Sequence, residues 1–480
     1  MIKLDHGAST PLVAQIVDAI RTRIVSGTWL DGMKLASIRK LAEECGVSPL
    51  TVSNAYNRLV AEGFLQARRA SGYFVTHEPK PVSGQIETVG LQPSVDSLWL
   101  LQRAYEGDSR LIQAGCGWLP ENCLYGSGIR HALNSLGRRP DMQGLGYGNP
   151  YGHDGLREQI ALSLARQGIA CQRSGIILTH GASQALELSI RCLTRPGDTI
   201  LVEDPGYCNL FPALHALGLS LCGVPRLKEG PCPEIFAKLA REKRPKAFIV
   251  NTRLHNPTGT SCSAPVLHKL LRIAEAHDIM LIEDDIFGDL APEASPTLAY
   301  LGQLDQVIRI SSFSKTISPG LRVGYVASNT TLARAILKLK MASSLTSTSI
   351  SEAIVYHCLA DGRYRLHLAR LREKLVHLQE KALRRFAKTG LVPFCKPEGG
   401  MFLWMRFAQE HDVLQLTHDA ARANFLLAPG GYFSPDGAVS PWLRFNTTQC
   451  DRPEIFSFLS QWRAANRDAH RIETGHSTPC

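Results

Sequence analysis

No apolar run in the 480-residue sequence approaches the ~20 residues that a membrane-spanning helix needs. The opening, Met1-Ile2-Lys3-Leu4-Asp5-His6-Gly7, lacks the apolar centre and small-residue cleavage site of a secretory signal. No Cys-x-x-Cys pair occurs among the 13 cysteines, so neither a zinc site nor a dithiol redox motif is expected, and no metal ligand is assigned. An odd number of scattered thiols reads instead as reduced and mostly buried, which suits a cytoplasmic protein with no membrane partner. Internal repeats and a disorder-prone composition are missing too. With 44% hydrophobic and 20% charged residues the chain is of ordinary globular make-up, long enough for two or three domains. A formal charge of +10 is compatible with a polyanionic partner but selects none, since many basic proteins bind no nucleic acid.

What is present begins with helical periodicity. Leu12, Ile16, Ile20 and Ile24 recur at the spacing of one amphipathic helix. A second helix is expected from Ser37 through Ile38, Leu41 and Ala42 to Cys45, with Gly46 placed to end it. A third opens at Ser48 as N-cap, with Pro49 at its first position and Val52, Ala55, Tyr56 and Leu59 on its apolar side. Two strand-like runs follow, Phe64-Leu65 and Tyr73-Phe74-Val75, joined through Arg68-Arg69-Ala70-Ser71-Gly72. These elements make up an expected first domain, 1–76. Pro79, Pro81, Gly84, Gly90 and Pro93 break any pattern in 77–97, which reads as a linker. From 98 to 465 short apolar runs alternate with longer helical patterns, the mark of an α/β domain with a largely parallel sheet. Strands are expected at 175–178, 199–203, 247–251, 279–283, 307–311 and 322–327, and a polar tail at 466–480.

The second and third helices, separated by Gly46-Val47, form a helix-turn-helix pattern. In that geometry the second helix enters the major groove with its N-terminal residues toward base edges, here Ser48, Leu50, Thr51 and Asn54. Arg39 is placed to reach phosphate, and Arg68 and Arg69 lie where a wing approaches the backbone or minor groove. The pattern alone leaves open a small three-helix domain used for protein contacts. The stretch from Ser37 to Ser48, then Thr51-Val52, Ala55-Tyr56, Glu62-Gly63-Phe64-Leu65 and Ser71-Gly72-Tyr73-Phe74-Val75, resembles the winged helix of GntR-type regulators across essentially the whole first domain. The resemblance implies a winged helix-turn-helix that binds a double-stranded DNA operator. Such regulators usually carry an Arg just after the Ser that opens the recognition helix. This chain has Pro49, so no base contact carries over at that position.

Ligands of open α/β sheets gather beyond the carboxyl ends of the strands. Gly181-Ala182-Ser183 follows one such end and opens a helix, where N–H groups and a hydroxyl can cradle phosphate. Tyr207, in Asp204-Pro205-Gly206-Tyr207, offers an aromatic face to a flat ligand. Asn256 in His255-Asn256-Pro257-Thr258-Gly259, Asp284 and Asp285, Lys315 in Ser311-Ser312-Phe313-Ser314-Lys315, and Arg322 stand at further strand ends. Singly, each has an ordinary explanation as a rim aromatic, a turn residue or a solvated charge. Their common location argues for one site.

Together, Asn256-Pro257-Thr258-Gly259, Ser312-x-x-Lys315 and the Arg322 that follows resemble the fold type I aminotransferases, from about Leu98 to Trp462. The resemblance implies a pyridoxal phosphate-binding α/β domain with large and small subdomains. It implies Lys315 as the catalytic amine that holds the aldehyde as a Schiff base. It gives the ring nitrogen to Asp284, with Asp285 on the opposite strand face as the fallback. Asn256 bonds the ring oxygen, Tyr207 stacks on the ring, and Gly181, Ala182, Ser183, Ser312 and Arg322 hold the phosphate. Arg444, in Trp442-Leu443-Arg444-Phe445-Asn446, takes a substrate carboxylate with its planar fork. Where the family usually has a Tyr three residues after the Asp, this chain has Phe287, which weakens control of the Schiff-base proton and counts against efficient transamination.

A GntR-like winged helix, a linker and an aminotransferase-like domain in that order are similar to the MocR-type subfamily of bacterial regulators. That similarity implies a homodimer in which Tyr147 reaches the neighbouring subunit's phosphate. It also implies a regulator that senses a small amine or amino acid through aldimine exchange at Lys315. The alternative is an active aminotransferase with an appended DNA-binding domain.

Overall fold

The computed structural model describes residues 4–5, 7, 10–68, 71–76, 97–105, 111–138, 146–292 and 295–466. The chain divides into two compact units, Met1–Gln92 and Pro93–Cys480. Nearly all of the expected linker, the tail beyond 466 and Arg69 lie outside the described residues.

In the first unit α1 spans Leu12–Val25, α2 Ile38–Cys45 and α3 Pro49–Ala61. The caps explain the boundaries. The Ser37 hydroxyl accepts the Lys40 N–H at 3.3 Å, and Gly46 ends α2 in the left-handed region at φ 65°. The Ser48 hydroxyl accepts the Thr51 N–H at 3.1 Å, with Pro49 behind it. Ile16, Val17, Ile20, Leu41, Val52, Ala55, Tyr56 and Leu59 close a common core. The hairpin pairs β1, Leu65–Arg68, with β2, Gly72–Val75, and Lys34 bridges to Phe74 as a third edge. β1 runs to Arg68, past the expected Phe64-Leu65. Gln66, Ala67 and Arg68 are exposed, so hydropathy gives no sign of them.

The second unit holds an eight-stranded sheet in the order β3-β10-β9-β8-β7-β4-β5-β6. Its strands are β3 Ile176–Thr179, β4 Thr199–Asp204, β5 Ser220–Leu227, β6 Gly230–Pro231, β7 Ala247–Val250, β8 Met280–Asp284, β9 Val307–Ser312 and β10 Gly324–Ala327. β9, β8, β7, β4 and β5 are parallel, β10 runs antiparallel between β3 and β9, and β6 is an antiparallel edge. β3 and β7 are buried at every residue, as strands covered on both faces should be. Separate apolar clusters include Leu178 with Phe248, and Ile177 with Ile249. Arg322 was expected inside a strand. It sits just before one, in the left-handed region at φ 52°, after the turn Pro319–Leu321.

A smaller antiparallel sheet follows, ordered β11-β12-β14-β13, from β11 Leu391–Pro393, β12 Phe402–Phe407, β13 Ala428–Pro429 and β14 Trp442–Asn446. Ile112 bridges to Phe425 and shares that sheet's core with Ala114, so the small subdomain is built from both ends of the unit. Among the described residues no helix is long and apolar enough to cross a membrane.

Candidate functional site

Lys315 lies three residues beyond β9. Its Nζ donates to the Gly117 carbonyl at 2.7 Å and stands 5.6 Å from the centre of the Phe287 ring. Loss of hydration, then the nearby Arg444 charge, lowers its pKa to about 8. The last residue of β8, Asp284, is buried, and that burial pushes its carboxyl up to about 7. A backbone N–H, from Ile286 at 3.3 Å, reaches that carboxyl. Asp285 has the opposite surroundings. Arg253 grips it at 2.7 and 2.5 Å and Arg309 adds a contact at 2.5 Å. Burial would raise the Asp285 pKa, but the two guanidinium groups outweigh it and hold the carboxyl below its usual range. Asp285, the fallback for the ring nitrogen, is thus already engaged by two arginines.

Asn256 and Arg444 meet directly, the Arg444 Nη1 donating to Asn256 Oδ1 at 2.7 Å. Arg444 Nε and Nη2 both reach the Gly115 carbonyl, at 3.1 and 2.6 Å. Its guanidinium lies against the Phe402 and Phe433 rings, 4.8 and 4.7 Å from their centres. Arg444 is thus a buried cation whose hydrogen-bond acceptors here are neutral, and burial lowers its pKa. Behind Asn256 stands Asn251. Its Oδ1 accepts the Asn256 N–H at 2.8 Å and its Nδ2 donates to the Asp284 carbonyl at 2.7 Å. The buried Glu203–Arg226 pair fixes the Asn251 backbone, accepting its N–H at 2.7 Å and donating to its carbonyl at 2.9 Å.

Gly181, Ala182 and Ser183 form the first turn of the helix Gly181–Leu193, where backbone N–H groups have no acceptor within the helix. Gly181 has φ 75°, and a Cβ there would lie 2.5 Å from Arg322 Nη2. Arg322 donates to the His180 carbonyl at 3.3 Å, which draws its guanidinium to this turn. Gly324, whose added Cβ would meet the Gly181 backbone at 2.6 Å, pairs in register with Ser312. The Ser312 hydroxyl shares a 2.8 Å bond with Ser314. The ends of β3, β9 and β10 so bring Gly181, Arg322 and Ser312 together. Tyr207 is half-buried, its hydroxyl pushed up to about 12 by burial and then by Cys208, with Asp284 and Arg444 near enough to act on it. Tyr147 is 87% exposed and makes none of these contacts. Phe287 is buried, packed edge-on to the Phe402 that also covers Arg444, with ring centres 5.5 Å apart.

These groups suit pyridoxal phosphate on structural grounds. Asp284 is a buried acid with no arginine bridged to it among the described residues, fit for a protonated ring nitrogen. The Gly181 turn with Arg322 is fit for phosphate, and Lys315 is an amine eased toward its neutral form. Gly117, Asn251, Glu203, Arg226, Phe402 and Phe433 had escaped the sequence reading. Asn251 and Glu203 alone left a trace there, as residues expected to close strands.

In the first unit Arg39, Asn54 and Arg68 are exposed and Thr51 is half-exposed. The Ser48 hydroxyl is engaged as a cap and bonded to the Thr51 hydroxyl at 2.8 Å, so its work in this structure is to start α3. Arg68 lies over the Phe74 ring at 4.5 Å. Lys34, which the sequence reading missed, stands 5.9 Å from the same ring.

Comparison with known proteins places the aminotransferase class I and II model on residues 129–460 and the model of bacterial regulatory proteins of the gntR family on residues 12–75. The HTH-type transcriptional regulator YdcR of Escherichia coli is 29% identical over 90% of this chain and 94% of its own. The HTH-type transcriptional regulator NorG of Staphylococcus aureus is 28% identical over 83% and 92%. Among solved structures, a multiple substrate aminotransferase from Thermococcus profundus superposes with a TM-score of 0.71 at 23% identity, over 80% of this chain and 97% of that one. A kynurenine aminotransferase from Pyrococcus horikoshii gives 0.70 at 23% identity, over 82% and 99%. At that identity the two structures speak for the fold.

Proposed function

We propose, for a chain that belongs to the aminotransferase class I and II family and carries a gntR-type regulatory domain ahead of it, that it is a transcription regulator whose DNA binding answers to a small amine or amino acid. The cofactor of this family is pyridoxal phosphate. Lys315 would hold its aldehyde and Asp284 its ring nitrogen. Asn256 would meet its ring oxygen and Tyr207 its face, with Gly181, Ala182, Ser183, Ser312 and Arg322 on its phosphate. In a homodimer Tyr147 of one subunit would complete the phosphate site of the other. The bound cofactor supplies an electron sink that loosens bonds to the carbon bearing the amine.

The observation that carries the reading is Arg444, a buried guanidinium with neutral acceptors and two aromatic rings against it. An arriving carboxylate is the partner such a cation lacks, and a planar fork can take it in two bonds. Lys315, with a pKa of about 8, holds roughly a tenth of its amine unprotonated at pH 7, against well under a hundredth for an ordinary lysine. It can therefore yield its place to an incoming amine and take up the proton released. Phe287 offers no hydroxyl to steer later proton movements, which favours a sensor over a fast enzyme. The test follows cofactor absorbance and DNA affinity together. The full-length protein, loaded with pyridoxal phosphate, is titrated with a panel of amino acids in the presence of duplexes selected from a random library. A regulator shows an amino acid that changes both, with DNA affinity moving several-fold to about a hundredfold, the ~1–3 kcal/mol usual for allosteric coupling. Repeated turnover with a keto-acid acceptor, at unchanged DNA affinity, would favour the working aminotransferase instead.

A further inference from the structure

We infer that α3 reads adenine–thymine pairs, with Leu50 packed on a thymine methyl and Asn54 bonded to an adenine, an inference that rests on the DNA-binding reading above. Core packing fixes which side of α3 is free. Val52, Ala55, Tyr56 and Leu59 are buried, so the opposite stripe carries Leu50, Asn54, Asn57 and Ala61 at helical spacing, all exposed. Leu50 is 69% exposed and has no place in the core of its unit. In the first turn of a recognition helix such a side chain is set toward base edges.

The chemistry of this stripe is selective. Guanine is most often read by an arginine or lysine that donates to O6 and N7. The first turn of α3 has neither. The helix's one basic residue, Arg58, is in the last turn and is tied to Glu62 at 2.9 Å. The Ser48 and Thr51 hydroxyls bond each other at 2.8 Å while Ser48 caps the helix, which leaves little polar chemistry at the tip. What remains there is an aliphatic group, whose base-edge complement in the major groove is the thymine methyl, and one turn later an amide, whose two-bond complement is adenine. Asn57 is partly engaged, accepting from the Tyr73 hydroxyl at 3.4 Å, so Asn54 is the freer reader.

The experiment uses the full-length, pyridoxal phosphate-loaded protein at fixed salt on duplexes enriched from a random library. Each thymine of the winning half-site is then replaced, one at a time, by deoxyuridine, which removes only the methyl and leaves the protein untouched. One thymine per half-site should prove sensitive, at a cost of about fourfold in affinity, the equivalent of ~0.8 kcal/mol for one buried methyl. Leu50→Ala should bind the thymine and uracil duplexes alike, and Asn54→Ala should relax the choice of adenine at a nearby position about tenfold. A wild type indifferent to uracil everywhere, or a uracil penalty that persists in Leu50→Ala, overturns the assignment while leaving DNA binding intact. Failure to enrich any sequence removes the DNA-binding reading, and this inference with it.

Discussion

In the N-terminal unit Arg39, Asn54 and Arg68 stand in solvent on a scaffold set by neighbours a few residues away, such as the Ser37 and Ser48 caps. In the larger unit Asp284 and Arg444 are buried and Lys315 half-buried, and the partners of Lys315 and Arg444 come from far along the chain. Lys315 meets Gly117 across 198 residues and Arg444 meets Asn256 across 188. An exposed charge keeps its ordinary strength and acts through a salt-screened field. A buried one has its protonation and its appetite for partners rewritten by its surroundings. Changes at the first kind should therefore be small and salt-dependent, and at the second large and pH-dependent.

The hardest test of that contrast is Lys315. Lys315→Ala should abolish the visible absorption of the cofactor-loaded protein, and borohydride should then leave no pyridoxyl group on any lysine. Mass spectrometry of the peptides checks this, and a pyridoxyl group on another lysine would remove Lys315 from the site. The fold should survive, because among the described residues the amine makes one hydrogen bond, to the Gly117 carbonyl. Next comes Arg444. Arg444→Lys keeps the charge but not the fork, and should weaken a carboxylate-bearing amine by ~1.5–3 kcal/mol, the order of one hydrogen bond to a charged group. The same amine lacking its carboxylate should bind mutant and wild type alike. Equal losses for both ligands would mean that the substitution had merely disturbed the Phe402 and Phe433 rings that Arg444 touches.

The same contrast governs how much could be read from sequence. The first unit was almost fully legible, since helix periodicity, Ser caps and the Gly46 stop are local signals and the structure realises each of them. It failed at β1, whose outer residues are solvated. In the second unit four of the five parallel strands were legible as apolar runs; the partly exposed β5, Ser220–Leu227, was not, nor was the antiparallel order of β10, because strand direction is a property of topology. Lys315, Asn256 and Arg444 were recognisable by motif. Asn251, and the Glu203–Arg226 pair that fixes its backbone, were not, for nothing in a sequence says that residues 23 apart will share a buried bond. Nor could alternation say which of Asp284 and Asp285 faces the site. The structure adds that Arg253 and Arg309 both pair with Asp285.

A third test asks whether burial at Asp284 costs stability in the absence of cofactor. Its folded pKa, about 7, lies above the ordinary carboxylate value. The native state thus holds the proton more tightly than the unfolded chain, and this group costs stability increasingly as pH rises toward 7 and by a constant amount above it. Asp284→Asn should escape that cost. Without cofactor its gain over wild type should grow from pH 4 to 7 and level off at ~2–4 kcal/mol, seen as a higher midpoint in denaturant titrations. Cofactor affinity should fall, since the neutral amide no longer pairs with a charged ring nitrogen. A variant less stable at every pH would show that the carboxylate has an ionic partner and that the site is not strained.

The smallest effect is expected at the wing. Arg68 is exposed, stacked on Phe74 and lightly bonded to Gln66 at 3.3 Å. Removing it should leave folding nearly unchanged. If it contacts a phosphate, Arg68→Ala should weaken selected and random duplexes by the same factor, about fivefold to tenfold at moderate salt. It should also lower the slope of log affinity against log salt by ~1 per chain, the counterion share of one contact. Lys34, on the same ring, should behave alike if both cations face the backbone. The comparison sharpens when Arg68→Ala is set beside Leu50→Ala, which should change sequence choice and spare the salt slope. A Arg68→Ala protein that loses affinity for the selected duplex alone would move Arg68 from the backbone to a base edge, and the division between positioning charges and reading side chains would have to be redrawn.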